Sequence, residues 1–218
     1  MPSAPSPPEL AQSALALLRR SRSGALATHS LAWPGVPYAS WLAFSTDDEG
    51  NPMFCISRLA EHTRNLAAAA PCSLLVAGDQ PAHAPERATL VGNAELVMPS
   101  ALLSERLLRY QPEAARFLSL GDFAWWRLQV SHVRYIAGFG RMGVAELEHL
   151  AALPCLALQA EAALIAGQPE HDVVGVDFLG CDVRRNGQLI RYDFPALPET
   201  VADVAQLLAQ TLAEADHD

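Results

Sequence analysis

Residues 87–97 read RATLVGNAELV, and a second long apolar stretch, residues 124–136, reads AWWRLQVSHVRYI. Both are rich in β-branched and aromatic residues, which is typical of strands. Four shorter runs of the same character are separated by turn-forming segments and lie at residues 25–30, 38–45, 53–57 and 73–77. Because strand follows strand through short links, we expect a mostly antiparallel sheet. Six strands with two long members predict a six-stranded antiparallel barrel, in a protein that is mainly β with helices (α+β).

Three helical segments accompany these strands. Ser6-Pro7-Pro8-Glu9 has a capping serine, a proline in the first turn and a glutamate three residues after the cap, so a helix begins here and ends near residues 21–24. Residues 63–70 and 100–118 also have helical patterns, and the second is expected to break at Gln111-Pro112.

The pattern changes after Gly143. Asn186-Gly187 marks a tight hairpin, and residues 200–213 form an amphipathic helix with Val204 and Leu208 on its apolar face. Further helices are predicted at residues 145–153 and 156–166, and strands at 173–177, 180–185 and 188–194. The sequence therefore predicts a barrel domain over residues 1–149 and a small α+β domain over residues 150–218.

Composition excludes several classes of protein. The net charge is −9 and the basic residues are not clustered, so we expect no nucleic-acid partner. All fifteen basic residues are arginine, which removes Schiff-base and phosphate-loop lysines. The four cysteines form no C-x-x-C pair, so no metal site is predicted. There is no secretory signal pattern and no apolar run that could span a membrane, so we expect a cytoplasmic protein without a membrane partner.

Residues 138–143, GFGRMG, match the glycine-rich pattern of dinucleotide-binding folds. That pattern requires alternating strands and helices around a parallel sheet, and no such alternation precedes it. Glycines at a strand exit also let the backbone approach a flat ligand closely, which is the interpretation that we favour here.

Residues 56–66, ISRLAEHTRNL, place polar side chains at the start of a helix. A helix N-terminus offers unpaired N–H groups and the positive end of the helix dipole. A hydroxyl from Thr63 and a charge from Arg64 would complete a phosphate cradle, to which Ser57 could add a second hydroxyl. A solvated helix cap with ordinary surface charge explains the same residues, and both interpretations stay open at this stage.

Taken in order, the motifs GALATHS, ISRLAEHTRNL, RATLVGNAELV, GDFAWWRL and GFGR make the chain similar to a known family. Residues 15–148 resemble the pyridoxamine 5′-phosphate oxidase-like FMN-binding split barrels, and most closely the branch that includes bacterial haem-utilisation proteins. The resemblance implies a six-stranded split β-barrel of the FMN-binding type, a homodimer, and FMN in a cleft between subunits.

The resemblance also implies roles for individual residues. Ser57, His62, Thr63, Arg64 and Asn65 correspond to contacts of the FMN phosphate and ribityl chain. Ser40 and Trp41 lie on the strand whose backbone would border the flavin ring, and Arg87 and Thr89 are further cofactor-binding positions. Gly138, Gly140 and Arg141 would close the site near the substrate side. A positive charge from Arg87 near the pyrimidine edge would stabilise the anionic reduced flavin.

Three functions follow from this resemblance. The first is an FMN-dependent oxidoreductase with an unknown substrate, and no catalytic residue is assigned. The second is a haem-binding or haem-degrading protein that uses the same cleft, with His132, His149 or His171 as the axial ligand. The third is a flavin-binding module without turnover. Relatives carry a His-Met-Asn-x-Asp-His stretch before the C-terminal hairpin, and its absence here puts the function of that segment in doubt.

Overall fold

The computed structural model describes residues 5–78, 86–138 and 140–215, and the chain folds into two compact units. The first unit comprises Met1–Met98 and Gln111–Leu153, and the second comprises Pro99–Tyr110 and Pro154–Asp218. Segment 99–110 thus belongs to the second unit although it precedes residue 149. The division into domains 1–149 and 150–218 stays a prediction.

The first unit contains a curled antiparallel sheet with four helices. Its helices are α1 (Pro7–Arg20), α2 (Glu61–Ala68), α4 (Ala114–Ser119) and α5 (Leu147–Ala151). Its strands are β1 (Ser23–His29), β2 (Pro37–Ala43), β3 (Ser45–Thr46), β4 (Pro52–Ser57), β5 (Pro71–Ala77), β6 (Arg87–Val97), β7 (Phe123–Ile136) and β8 (Met142–Glu146). The predicted break of the second internal helix is confirmed, because α3 (Ala101–Tyr110) ends where Gln111-Pro112 follows.

The strand order is β2-β1-β5-β6-β7-β4-β3, and β8 pairs with the far end of β7. The predicted antiparallel split-barrel class is confirmed, but the number of strands is wrong. The sheet has eight strands in the part of the chain that the structure describes, instead of six. One extra strand arises because the predicted run at residues 38–45 is interrupted at Phe44, and the other because β8 begins inside the glycine-rich segment that follows β7.

The inner face of this sheet forms the core of the first unit. Leu26, Leu74 and Leu128 lie on this face and are completely buried. Helix α1 packs against them with Leu17, which is also buried. The predicted amphipathic helix α1 therefore packs its apolar stripe against one side of the sheet.

The second unit is a small α+β structure, as predicted. Helices α3, α6 (Leu158–Ala166) and α7 (Val201–Ala215) accompany the antiparallel sheet β11-β10-β9, whose strands are β9 (Val173–Asp177), β10 (Gly180–Arg185) and β11 (Gln188–Asp193). Asn186 and Gly187 have positive φ angles and join β10 to β11, which confirms the predicted hairpin turn.

Buried charges hold the second unit together. Arg106 of α3 bonds to Glu161 of α6, and both side chains are about 2% exposed. Arg191 of β11 bonds to Asp177 at 2.8 Å and to Asp182 at 3.1 Å. Buried ion pairs are costly to break, because removing one partner leaves an uncompensated charge in a medium of low dielectric constant.

Candidate functional site

The outer face of the barrel sheet carries a continuous row of side chains across six strands. Opposed residues of antiparallel strands project from the same face. The pairing register therefore aligns one residue from each of β2, β1, β5, β6, β7 and β8, namely Trp41, Ala25, Leu75, Thr89, Arg134 and Val144. Trp41 is 73% exposed, an unusual position for so large an apolar side chain. This row defines the surface that we call the outer face.

A parallel row beside it is half-buried at its centre and exposed at its two ends. It consists of Ala39, Ala27, Ser73, Val91, His132 and Glu146. Over β1, β2 and β5 the two rows present small and apolar side chains together with Ser73. Toward β7 and β8 they present Arg134, His132 and Glu146 together with Val144. A flat ligand with one apolar and one anionic edge matches this division.

Two arginines stand at the polar side of the outer face. Arg134 is exposed and opposes Thr89, whereas Arg87 is half-buried and opposes Ile136 in the same pair of strands. Arg87 and Arg134 are therefore diagonal neighbours, at a separation of roughly 7–8 Å between backbones. Guanidinium groups bind carboxylates and phosphates through paired hydrogen bonds, so this pair of positions suits a ligand with two anionic groups.

A β-bulge determines which residues of β7 reach the outer face. The register with β6 shifts between Val91 and Gly92, where Gly92 pairs with Val130 and Val91 pairs with His132. Ser131 is the additional residue, so the buried positions change from Leu128 and Val130 to the opposite phase. The bulge therefore places His132 and Arg134 outward, where strict alternation after residue 130 would have buried them.

The entrance of α2 is built around a serine and an aspartate. The Ser57 hydroxyl donates to the Asp122 carboxylate at 2.6 Å and accepts from the Leu59 N–H at 3.0 Å. The Asp122 carbonyl accepts from the Arg58 N–H at 2.8 Å, which fixes the two chain segments side by side. A carboxylate therefore already satisfies the hydroxyl that was predicted to bind phosphate, and its charge would repel a phosphate at the same position.

Asn65 of α2 is completely buried and has a structural role. Its Oδ1 accepts from the Leu31 N–H at 2.9 Å, and its Nδ2 donates to the Thr28 hydroxyl at 3.0 Å. These bonds fasten the loop between β1 and β2 to the helix. The predicted contact between Asn65 and a cofactor would have to use the second N–H of Nδ2 or the second lone pair of Oδ1.

Three side chains in the first turn of α2 contain buried polar atoms without a hydrogen-bond partner among the described residues. They are the Thr63 hydroxyl, Nε2 of His62 and the Oε1 carboxylate oxygen of Glu61. Burial lowers the pKa of His62, because the charged imidazolium loses its hydration. Buried polar atoms are normally satisfied, so a ligand that offers an acceptor and a donor here would remove a cost.

The other predicted site residues have different surroundings. Ser40 opposes the buried Leu26, so its side chain is on the other side of β2 from Trp41. Arg64 is exposed and donates to the Leu59 carbonyl at 2.5 Å. Gly140 and Arg141 are exposed in the turn between β7 and β8, where Gly140 has a φ of 78° and the neighbouring Phe139 lies outside the described residues.

The structure thus separates the predicted cofactor residues into two groups. Trp41, Arg87 and Thr89 share the outer face, whereas the residues from Ser57 to Asn65 surround the start of α2. Their role in binding a cofactor stays a prediction. Arg134 and the Ser57–Asp122 bond were missed, although a glycine inside β6 is a recognised sign of a bulge and could have indicated the change of phase in β7.

The remaining candidate histidines have different surroundings. Nδ1 of His149 accepts from the Glu146 N–H at 3.3 Å, so this ring caps the start of α5. His171 lies in the second unit, in the turn between α6 and β9.

The glycine-rich segment 138–143 lies in an antiparallel hairpin between β7 and β8. A dinucleotide-binding turn connects a strand to the N-terminus of a helix in a parallel unit, so the hexapeptide lacks the surroundings that its pattern requires. Among the described residues, no helix is long and apolar enough to cross a membrane.

The fold defines the class of protein: an antiparallel split barrel with a second, smaller α+β unit. Residues 5–149 match the family model described as CREG, beta-barrel, and the chain belongs to this family. The resemblance to the pyridoxamine 5′-phosphate oxidase-like split barrels is also confirmed. A solved protein of the pyridoxinephosphate oxidase family from Clostridium acetobutylicum is 13% identical with a TM-score of 0.51, over 66% of this chain and 98% of that chain.

One curated relative is the chloroplastic non-canonical haem oxygenase HOZ of Arabidopsis thaliana, which is 36% identical over 124 residues. The match covers 56% of this chain and 38% of the relative, so the chain aligns with well under half of that protein.

Two solved structures resemble nearly the whole chain. A protein of unknown function from Agrobacterium tumefaciens has a TM-score of 0.71 at 24% identity, over 96% of this chain and 100% of its own. A haem-binding protein from Mycobacterium smegmatis has a TM-score of 0.61 at 24% identity, over 98% and 99% of the two chains. At this identity, the similarity establishes the shared fold.

Proposed function

We propose that the protein binds haem on the outer face of its sheet and degrades it oxidatively, as a homodimer. The observation that carries the proposal is the aligned row from Trp41 to Val144, which combines an open apolar surface with the arginine pair Arg87 and Arg134. The relative that is named a haem oxygenase supports the same assignment, since it shares 36% identity over 124 residues.

The residues of the outer face fit haem. A porphyrin is flat and apolar, and its two propionates lie along one edge. The small side chains of Ala25 and Ala27 leave room above the sheet, and Trp41 offers an aromatic surface beside them. Arg87 and Arg134 would hold the propionates by charge-assisted hydrogen bonds.

A second copy of the chain would complete the site. Trp41, Leu75, Val144 and Met142 are between 38% and 73% exposed, and the first three form part of one row. Thr89 and Arg134 separate Leu75 from Val144 in that row, so the exposed apolar side chains flank the polar centre, and exposed apolar groups rimmed by polar residues mark an interaction surface. Most soluble oligomers are symmetric homodimers, so two outer faces that cover one another would exclude water from the ligand between them.

Haem bound here would supply an iron centre at which dioxygen is activated. The chain's own residues would bind the porphyrin, hold its carboxylates and exclude bulk water. Electrons for the reaction would come from an external reductant, such as a reduced nicotinamide or a reductase that uses one.

The test has two stages. Apoprotein is titrated with ferric haem, and the Soret band is followed to saturation. The loaded protein then receives ascorbate with or without dioxygen, and a ferrous chelator reports released iron. We expect saturable binding, followed by loss of the Soret band and release of iron only when both reagents are present. Absence of saturable binding would contradict the proposal, and binding without iron release would refute its catalytic part.

FMN is the second candidate cofactor, in an oxidoreductase or in a flavin-binding module without turnover. The unpartnered hydroxyl of Thr63 and Nε2 of His62 at the start of α2 favour it, because a phosphate and its ribityl chain would satisfy such atoms. Asp122 opposes it by placing a carboxylate 2.6 Å from the Ser57 hydroxyl. Quenching of flavin fluorescence on addition of apoprotein distinguishes the two cofactors, and we expect no saturable quenching.

A further inference from the structure

The bulge in β7 gives His132 a defined chemical state. Ser131 is the additional residue of the bulge, and its hydroxyl donates to the Val91 carbonyl at 2.9 Å. The same hydroxyl oxygen lies 3.1 Å from Nδ1 of His132. A serine has one O–H to donate and a carbonyl can only accept, so both contacts form together only when the hydroxyl donates to Val91 and accepts from the imidazole.

The tautomer of His132 follows from this arrangement. When the Ser131 hydroxyl donates to the Val91 carbonyl, its oxygen accepts from the imidazole. This arrangement, which satisfies both contacts, selects the neutral ring with the N–H on Nδ1 and the lone pair on Nε2. Among the described residues, the ring's hydrogen bond is the one through Nδ1, and Nε2 takes part in none. Histidine ligands in metalloproteins are oriented in this way, with one ring nitrogen donating to the protein and the other facing the metal.

His132 also lies where a ligand to the outer face would need it. It occupies the second row, and Arg134, two residues further along β7, belongs to the first row. His29 is exposed at the end of β1 and shares this face, but it pairs only with Pro37 at the edge of the sheet. His149 uses its Nδ1 as an acceptor for the cap of α5.

We propose that His132 is the axial ligand of the haem iron, through Nε2, and that Ser131 is a positioning residue that fixes its tautomer and orientation. This inference rests on the proposed function, because it names the iron ligand of that site. It requires no change in the sheet, since the bulge already presents the ring.

The experiment compares wild type with His132→Ala, Ser131→Ala and Ser131→Thr, and uses His29→Ala as the matched control. Haem affinity is measured by Soret titration. The ferrous nitrosyl form is then examined by electron paramagnetic resonance, which reports a nitrogen ligand opposite nitric oxide. In the apoprotein, nitrogen NMR of the histidines reports the tautomer of the ring.

In wild type and in His29→Ala, we expect a histidine nitrogen signal and the Nδ1–H tautomer of His132. His132→Ala should lose the nitrogen signal, and added imidazole should restore it. Ser131→Ala should mix the tautomers and weaken haem binding by about tenfold, the size of effect seen when a group that orients a metal ligand is removed, whereas Ser131→Thr should retain both properties.

Three results would overturn the inference. A nitrogen signal that survives in His132→Ala would assign the iron to another ligand while leaving haem binding intact. An Nε2–H tautomer in the wild-type apoprotein would refute the role of Ser131. If wild type failed to bind haem at all, the proposed function would fall together with the ligand assignment.

Discussion

Substitution of Gly92 by alanine tests whether the bulge is a precondition of the site. A Cβ atom at position 92 would lie 1.9 Å from the Gln129 carbonyl oxygen, 2.8 Å from the Gln129 carbonyl carbon and 3.1 Å from Cα of Val130. All three are backbone atoms of β7, so no side-chain rotation can relieve the contact. The two strands must separate locally, and the bulge that begins at Ser131 must shift with them.

The cost can be estimated from overpacking in well-packed regions, which typically destabilises by about 1–3 kcal/mol. We expect Gly92→Ala to lie at the upper end, at about 3 kcal/mol, because the clash involves rigid backbone. For a chain of this length, 1 kcal/mol corresponds to about 2–4 °C, so Tm should fall by about 6–12 °C.

Gly78→Ala provides the matched control. Among the described residues, its added Cβ would lie no closer than 3.7 Å to any neighbouring atom, which is ordinary van der Waals distance. We expect its free energy of unfolding to stay within about 0.5 kcal/mol of wild type.

Urea denaturation followed by tryptophan fluorescence is the assay, because all four tryptophans lie between Trp33 and Trp126, within the first unit. An unfolding free energy for Gly92→Ala equal to that of Gly78→Ala would refute the reasoning. If Gly92→Ala were destabilised but bound haem with wild-type affinity, the bulge would not be required for haem binding.

Three further predictions concern other parts of the molecule. Asp122→Asn removes a charge that would repel a phosphate by about 1–4 kcal/mol at 4 Å, so quenching of FMN fluorescence should become stronger than with wild type at every protein concentration; identical quenching curves would contradict this. Glu161→Gln leaves the buried charge of Arg106 uncompensated, at a cost of about 3–5 kcal/mol. Amide hydrogen exchange in β9 should therefore be faster in Glu161→Gln than in wild type, and equal protection of these amides would contradict the predicted destabilisation. Because burial lowers the pKa of His62 from 6.5, the unfolded chain binds the proton more tightly, and stability is lost as the pH falls below about 6.5. His62→Gln should reduce this loss between pH 7.5 and 5.5 in urea midpoints, and an identical slope would exclude His62 as its source.

Local signals in the sequence predicted most of the fold. The Asn186-Gly187 turn and the proline after Gln111 impose their effects on the local backbone. The hairpin between β10 and β11 and the end of α3 are therefore predictable from a few neighbouring residues. Strand β3 escaped prediction because two residues are too few to show a period. Strand β8 begins at Met142 within a glycine-rich segment. Its own residues do not indicate a strand, and it is stabilised as one by antiparallel pairing with β7.

The site was less predictable because it depends on contacts between distant segments. Ser57 and Asp122 are 65 residues apart, and no local pattern shows that the serine bonds to a carboxylate. The orientation of Arg134 depends on a one-residue bulge that reverses the phase of alternation after Val130. By contrast, Trp41 and Thr89 lie on the same face as a direct consequence of pairing between predicted strands.

The most direct test of the proposed function places a charge at the centre of the outer face. Thr89→Glu introduces a carboxylate between Leu75 and Arg134, and Gln188→Glu makes the same charge change on the hairpin of the second unit. In parallel haem titrations, we predict that wild type and Gln188→Glu show the same saturable binding and that Thr89→Glu binds at least about tenfold more weakly, since the new carboxylate would pair with Arg134 directly opposite and repel the propionates. Equal haem affinity in Thr89→Glu and wild type would contradict the assignment of haem to this face.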